Sequence, residues 1–342
     1  MNISDFIIRE ELMRGRKSIV YLATYKRTGI DVVLKYCIIE NGYERALIQK
    51  EIRIHKKLKH TRIISFYGHF VDPDNNNVYM VLEYAKGGDL FKMVSEKIPE
   101  GEFIEKILKP IIRALHYLHS RNIVHCDIKS ENIFLTSYKD GAKLGDFGFA
   151  MDDTSLKNRR MGTTVYMAPE ILLCEREIVR DAVRNNENLY GTPVDCWAIG
   201  VLFYEGIFGN VPWEHKNGET YRQFLLKVVN NPIDMDALIQ KGASEEAARF
   251  ITGCLQLYPG DRMTCKDMLL DPLLASRNES IINGHSYRNG MQSDKIVINV
   301  PRSKSEMDMK KMVRDSERRL SRIEEEREPP KSWWCICLPK CS

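Results

Sequence analysis

The sequence predicts an α+β protein of two lobes, a small antiparallel β lobe followed by a larger, mainly α-helical one. Two observations carry this. Residues 5–37 alternate short apolar runs with turns, the period-two pattern of strands joined by hairpins. From Phe103 to Arg121, Ile104, Ile107, Leu108, Ile111, Ile112, Leu115 and Leu118 recur at helical spacing, which marks a core helix of a second lobe. The expected boundaries are 1–83 for the first lobe, 84–275 for the second and 276–342 for a tail.

Composition narrows the class further. The chain has 342 residues, 43% hydrophobic and 29% charged, as a soluble globular protein does. Met1-Asn2-Ile3-Ser4-Asp5 lacks the basic start and apolar run of a secretory signal. The apolar stretch Trp197–Trp213 is interrupted by Glu205, Gly206 and Gly209, so it predicts a buried helix rather than a membrane span. Nine scattered cysteines without metal spacing fit reduced thiols inside a cell, in nucleus or cytoplasm. The net charge is +4, and residues 277–342 hold 14 Lys/Arg against 10 Asp/Glu, also +4. The folded part is therefore near neutral, which gives no footing for nucleic-acid binding.

In the first lobe, Leu12-Met13-Arg14-Gly15-Arg16-Lys17-Ser18-Ile19-Val20 carries one glycine in a turn between strand-like runs. Val32-Val33-Leu34-Lys35 is a strand that ends on a lysine. A lone lysine there is ordinarily solvated, so Lys35 needs a partner. Glu51 offers one, in a segment where Ile52, Ile54 and Leu58 suggest a helix packed on the sheet. Val78–Ala85 reads as a buried strand entering a connection, and Asp89 follows in Gly87-Gly88-Asp89-Leu90-Phe91. An acid at that place also suits a helix N-terminus, favoured by the helix dipole.

The second lobe carries the chemistry. In Val124-His125-Cys126-Asp127-Ile128-Lys129-Ser130-Glu131-Asn132, Asp127 and Asn132 stand five positions apart, with Lys129 two after the aspartate. Fourteen residues beyond Asn132 comes Asp146-Phe147-Gly148, then Gly162-Thr163-Thr164 and Ala168-Pro169-Glu170. Further on are Pro193-Val194-Asp195-Cys196-Trp197-Ala198-Ile199-Gly200 and Asp261-Arg262. This ordered set resembles the eukaryotic serine/threonine protein kinases over roughly residues 5–275. Phe66-Tyr67-Gly68-His69, the Gly-Gly-Asp-Leu-Phe stretch and Thr192–Trp197 running on to Trp213 most resemble the checkpoint kinases of the DNA-damage response.

The resemblance implies a bilobal protein-kinase-like fold that uses ATP and Mg²⁺, with Mn²⁺ as an alternative ion. It makes Asp127 the group that orients the substrate hydroxyl and accepts its proton, with Lys129 touching the transferring phosphate. Asn132 and Asp146 would hold the metal ions. Lys35, paired with Glu51, would bridge the α- and β-phosphates, and Thr163 would hydrogen-bond Asp127 and Lys129. Leu12, Gly15, Val20, Val33, Leu82, the Glu83, Tyr84 and Ala85 backbone and Asp89 would form the nucleotide pocket. Asp195 would clamp the catalytic-loop backbone, and Arg262 would pair with Glu170. The implied partners are proteins bearing Ser or Thr, met by a monomer. Glu131 and Asp89 add a weak pointer to arginine upstream of the acceptor. Arg318-Arg319-Leu320-Ser321 in the tail fits that preference, which suggests autophosphorylation at Ser321.

The sequence departs from the family in several places. Only Gly15 remains of three expected loop glycines, Met13 and Ser18 replacing the others, which should stiffen the lid over the phosphates. The stretch between Glu170 and Asp195 is long for the family, the excess falling in Cys174–Asn188, and His55 stands where an aliphatic residue is usual. The missing glycines, with Cys126 in the catalytic loop, motivate an alternative, a pseudokinase-like nucleotide-binding scaffold, although no metal ligand or base is missing. Residues 276–301 are rich in Ser, Asn and Gly and predict disorder, and 303–328 are densely charged. The end, Trp333-Trp334-Cys335-Ile336-Cys337-Leu338-Pro339-Lys340-Cys341-Ser342, suits either an exposed reducible tail or peripheral membrane contact through acylated Cys335, Cys337 and Cys341.

Cys126 occupies the place of an arginine that in this family receives an activation-loop phosphate, and a thiol cannot make that charge-assisted contact. Loop phosphorylation is therefore not expected to be the switch. An enzyme carrying Thr154→Ala, Ser155→Ala and Thr164→Ala should keep wild-type phosphotransferase activity, and collapse of activity would refute this.

Overall fold

A computed structural model describes residues 1–94, 98–136, 141–152, 162–173 and 191–275. Thr154, Ser155, Cys174–Asn188 and the whole tail, with Ser321 and the three terminal cysteines, lie outside the described residues.

The first lobe is a five-stranded antiparallel sheet in the order β1-β2-β3-β5-β4. Its strands are β1 (Phe6–Arg14), β2 (Ser18–Tyr25), β3 (Ile30–Cys37), β4 (Phe66–Val71) and β5 (Val78–Glu83). Helix α1 (Gly42–His55) packs beside it and starts cleanly because Asn41 Oδ1 accepts the Glu44 N–H at 3.0 Å. The helix turns Glu51, Ile52, Ile54 and His55 inward.

The second lobe is helical except for the short hairpin of β6 (Ile133–Leu135) and β7 (Ala142–Leu144). It begins with α2 (Phe91–Val94) and α3 (Glu100–Phe103), and the chain continues through a π-turn over Ile104–Leu108 into α4 (Lys109–His119). The apolar spacing predicts one helix from Phe103 to Arg121, and this run is longer at its start, shorter at its end and locally widened. Pro110 explains the widening. It lacks the N–H that would bond the Lys106 carbonyl, and its ring would crowd that oxygen in a regular helix.

Four further segments frame the lower core: α5 (Pro169–Leu172), α6 (Pro193–Phe208), α7 (Tyr221–Asn230) and α8 (Met235–Gln240). The chain closes with α9 (Glu245–Cys254), α10 (Cys265–Leu270) and α11 (Pro272–Ala275). Helix α6 is buried from Val194 to Gly206 without a break, as its apolar sequence anticipates. Gly206 lets it approach α3, since a Cβ there would lie 2.1 Å from the Phe103 ring. Among the described residues no helix is long and apolar enough to cross a membrane.

Four rings tie the lobes together. His55 of α1 lies 5.3 Å from Phe66 and 4.5 Å from Phe147, and Phe147 lies 5.1 Å from His125. His55 Nε2 meets the Ile64 carbonyl at 2.8 Å, so its polar atom is satisfied inside an apolar stack. Burial lowers His55 from 6.5 to about 4, only partly offset by that hydrogen bond.

His55 therefore refuses a proton that the unfolded chain would bind, and stability present above pH 6.5 is lost as the pH falls toward 4. The full linkage is roughly 3 kcal/mol. His55→Leu should flatten the fall of melting temperature between pH 6.5 and 4, and an unchanged profile would refute the assignment.

Candidate active site

Strand register brings the nucleotide-pocket candidates to one face of the sheet. Val20 stands opposite Lys35, and Val33 opposite Leu82. Directly opposed residues share a face, as do Val33 and Lys35 two positions apart on one strand, so all four point the same way. Gly15 forms the β1–β2 turn, its N–H bonded to Ser18 O at 2.8 Å, and Leu12 on β1 is exposed. Glu83 faces the other way: its carboxylate accepts Ser65 N at 3.0 Å and Oγ at 2.8 Å and pairs with Lys143 at 2.5 Å. Tyr84 is half-buried and Ala85 buried where the chain crosses between lobes. Asp89 Oδ1 accepts the Lys92 N–H at 3.3 Å, so in this geometry it caps α2.

Lys35 joins the two lobes. Its Nζ lies 2.8 Å from Glu51 Oε1 on α1 and 2.9 Å from Asp146 Oδ1 in the second lobe. Burial alone would lower the ammonium, but Asp146 and Glu51 outweigh it and hold Lys35 well above its usual range. Lys35 in turn depresses Asp146 to about 2, although that side chain is 40% exposed, so the ion pair rather than enclosure sets its charge. Burial raises Glu51, with Lys35 pulling the other way. Asp146 adopts a φ of +55° and also accepts the Gly148 N–H at 3.3 Å.

The catalytic loop is a closed set of hydrogen bonds around Asp127, which is 4% exposed. Asp127 Oδ1 accepts from Thr163 N at 3.1 Å and Thr163 Oγ1 at 3.3 Å. Oδ2 accepts from Asn132 Nδ2 at 2.9 Å and lies 3.2 Å from Lys129 Nζ. Lys129 Nζ donates to Thr163 Oγ1 at 2.9 Å, and Asn132 Nδ2 also donates to the Asp127 carbonyl at 2.8 Å. Gly162, at φ +102°, permits Thr163 to reach inward, because a Cβ there would lie 2.6 Å from Cys126 O.

Beneath the loop, Asp195 at the start of α6 holds the backbone. Its Oδ2 accepts His125 N at 2.8 Å and its Oδ1 accepts Cys126 N at 2.9 Å. His119 Nε2 meets the same Oδ2 at 2.9 Å. Cys126 is thereby held at φ +65°, and burial pushes its thiol well above the usual range. Glu170 and Arg262 form a buried two-pronged pair at 2.6 and 2.7 Å.

The oxygens available fit a hard divalent cation. Asn132 donates through its amide nitrogen and keeps Oδ1 as an acceptor, and Asp146 offers a carboxylate held charged by Lys35. The lysine–carboxylate arrangement beside them fits a polyphosphate.

Two groups escaped the sequence reading. Glu205 of α6 is 8% exposed, and the Tyr166 hydroxyl donates to its Oε2. Tyr166 OH also lies 3.3 Å from Ser130 Oγ, next to Glu131. Burial raises Glu205 above the usual carboxylate range. A second acid, ten residues past Asp195 in an otherwise apolar 16-residue helix, was the available signal.

A protein kinase domain model matches residues 6–274, and the chain belongs to the protein kinase family. It is a serine/threonine protein kinase. An Aurora kinase of Encephalitozoon cuniculi is 35% identical over 286 residues, covering 81% of this chain and 96% of that protein. Aurora kinase B of Danio rerio is 30% identical over 292 residues, covering 82% of each chain. Serine/threonine-protein kinase ULK3 of Mus musculus is 29% identical over 277 residues, 79% of this chain and 55% of that protein. These relatives carry the kinase part of the resemblance seen in the sequence, and Aurora kinases rather than checkpoint kinases stand among them.

Proposed function

We propose that this chain moves the γ-phosphoryl group of ATP to serine or threonine hydroxyls of protein substrates, with Asp127 at the centre of the reaction. The observation that carries this is convergence: the Asp127–Lys129–Thr163–Asn132 network and the Lys35–Glu51–Asp146 chain are both fully connected. Magnesium-bound ATP supplies the activated phosphoryl group. Asn132 and Asp146 would hold the metal, and Lys35, kept charged by its two carboxylates, would neutralise phosphate oxygens. Asp127 Oδ2 aligns the substrate hydroxyl and takes its proton, while Thr163 fixes the carboxylate through Oδ1. Lys129 offsets charge on the group in flight. Val20, Val33 and Leu82 give the adenine an apolar face, and the Glu83–Ala85 backbone reads its edge.

The fully connected site favours catalysis over a scaffold role, because each proposed chemical group is present and oriented. The relatives favour an Aurora-like signalling kinase, and the checkpoint assignment has only the short sequence segments behind it. With radiolabelled ATP and a basic serine peptide, wild-type enzyme should transfer phosphate. Asp127→Asn should lower kcat about 100-fold or more while nucleotide still binds. Asp146→Ala should abolish magnesium-dependent nucleotide binding. Full activity in either variant would refute the assignment.

A preference for arginine upstream of the acceptor has support from Glu205. It is a buried acid that accepts from the neutral Tyr166 phenol, which also lies against Ser130, next in the chain to exposed Glu131. An incoming guanidinium would satisfy both acids with charge-assisted hydrogen bonds. Glu205→Gln and Glu131→Gln should each raise KM roughly 10-fold for an arginine-containing peptide and leave KM for ATP unchanged, each lost bond being worth about 1.5–3 kcal/mol. A positional-scanning peptide array with no selection for arginine would overturn the preference.

A further inference from the structure

Two basic stretches, far apart in the sequence, meet on one side of the molecule. Residues 53–62 hold Arg53, Lys56, Lys57, Lys59 and Arg62, residues 109–121 hold Lys109, Arg113 and Arg121, and neither stretch contains an acid. Tyr117 of α4 joins them. Its hydroxyl accepts the Lys59 N–H at 2.9 Å, and the His60 ring lies 5.0 Å from its own. The Arg121 guanidinium sits 3.7 Å from the centre of the same ring. Burial lowers His60, and the charges of Arg62, Arg121 and Arg113 lower it further, so all three reach that imidazole. Arg53 is taken up by Asp152, and Lys109 by Glu105. Lys56, Lys57, Lys59, Arg113 and Arg121 are exposed, and among the described residues none has an acid as partner. Like charges crowded together weaken a fold, so packing gives no reason for this face.

We propose that the face formed by Lys56, Lys57, Lys59, Arg62, Arg113 and Arg121 docks the chain on a membrane surface that bears anionic lipid. Three of the six are lysines, compact and strongly hydrated charges that suit a diffuse field of headgroups. Recognition of one carboxylate or phosphate would favour paired guanidinium forks instead. Nucleic acid fits less well. Tyr117, the ring at the centre of the face, is already covered by Arg121 and His60, which leaves it no room to stack on a base.

The same chain carries a complementary element. Trp333 and Trp334 suit the membrane interface, and Cys335, Cys337 and Cys341 beside them suit acylation. A single acyl chain holds a protein only weakly and reversibly, and stable attachment takes a second signal such as a basic surface. The face on the folded body supplies that signal. Residues 276–332 separate Ala275 from Trp333, a length of chain able to reach any side of a domain this size. No residue of the face belongs to the Lys35–Glu51–Asp146 chain or to the Asp127 network, so docking and phosphotransfer draw on different side chains.

The test is sedimentation of the full, unacylated chain with phosphatidylcholine vesicles, with and without roughly one-third phosphatidylserine. The parent protein should bind only the anionic vesicles and should be released as salt is raised. Lys56→Gln, Lys57→Gln and Lys59→Gln together should weaken binding about 100-fold, about fivefold for each charge lost, at an unchanged melting temperature. Lys92→Gln, Lys216→Gln and Lys266→Gln remove the same charge from exposed positions elsewhere and should bind as the parent does. Equal weakening in the two triple variants overturns the proposal, because net charge rather than this face would then be at work. A parent protein indifferent to phosphatidylserine overturns it too. So does one that leaves the vesicles for single-stranded RNA or for polyglutamate at equal concentration of charge.

Discussion

One ammonium holds the two lobes to a common geometry. Lys35 reaches Glu51 on the helix of the first lobe and Asp146 on the second, at nearly equal distances. Buried ion pairs of this kind contribute little net stability, because removing charges from water costs about what their attraction returns. Their value is positional. If α1 swings away, Lys35 loses one carboxylate; if the Asp146 segment turns, it loses the other and Phe147 leaves its place between His55 and His125. Electrostatic and apolar contacts therefore fail together, which makes the closed arrangement one cooperative unit rather than a sum of parts.

A second constraint comes from below. Asp195 spends its two carboxylate oxygens on the backbone of residues 125 and 126, and so holds Cys126 in a conformation that non-glycine residues rarely adopt. Strain of that kind costs on the order of 1–3 kcal/mol and persists only where surroundings over-determine it. Helix α6 supplies the surroundings. It is buried along almost its whole length, and the Glu170–Arg262 pair fixes the segment that packs on it. The line of support runs from a greasy helix, through one acid, to the loop that carries Asp127.

Most of the architecture was legible in the sequence because its signals are local. Alternating strands, an apolar helix and fixed spacings of polar residues survive without knowledge of long-range packing, and strand register then places Val20, Val33, Lys35 and Leu82 on one face. What stayed hidden depends on packing between distant segments. Glu205 looked like an interruption in an apolar run, since its partner Tyr166 is 39 positions earlier. Asp89 fitted two readings, and the cap on α2 emerges only from the path of the backbone after it. The π-turn before Pro110 was written in the sequence as a proline four residues after Lys106, yet helical periodicity drew attention away from it.

The loss of an arginine at position 126 is best judged by what holds that residue. Its backbone N–H is bonded to Asp195, its carbonyl lies against Gly162, and its positive φ follows from these main-chain contacts. None of them needs a guanidinium. A thiol there leaves the loop geometry intact, and Asp127 next door keeps its bonds to Thr163 and Asn132. Near the start of the same loop, Arg53 of α1 pairs with Asp152 at 2.5 Å, so a carboxylate already ties that segment to the helix that carries Glu51. The Arg53–Asp152 ion pair thus ties the segment after Asp146 to α1, so the helix that carries Glu51 is held to the second lobe through a second charged contact besides Lys35.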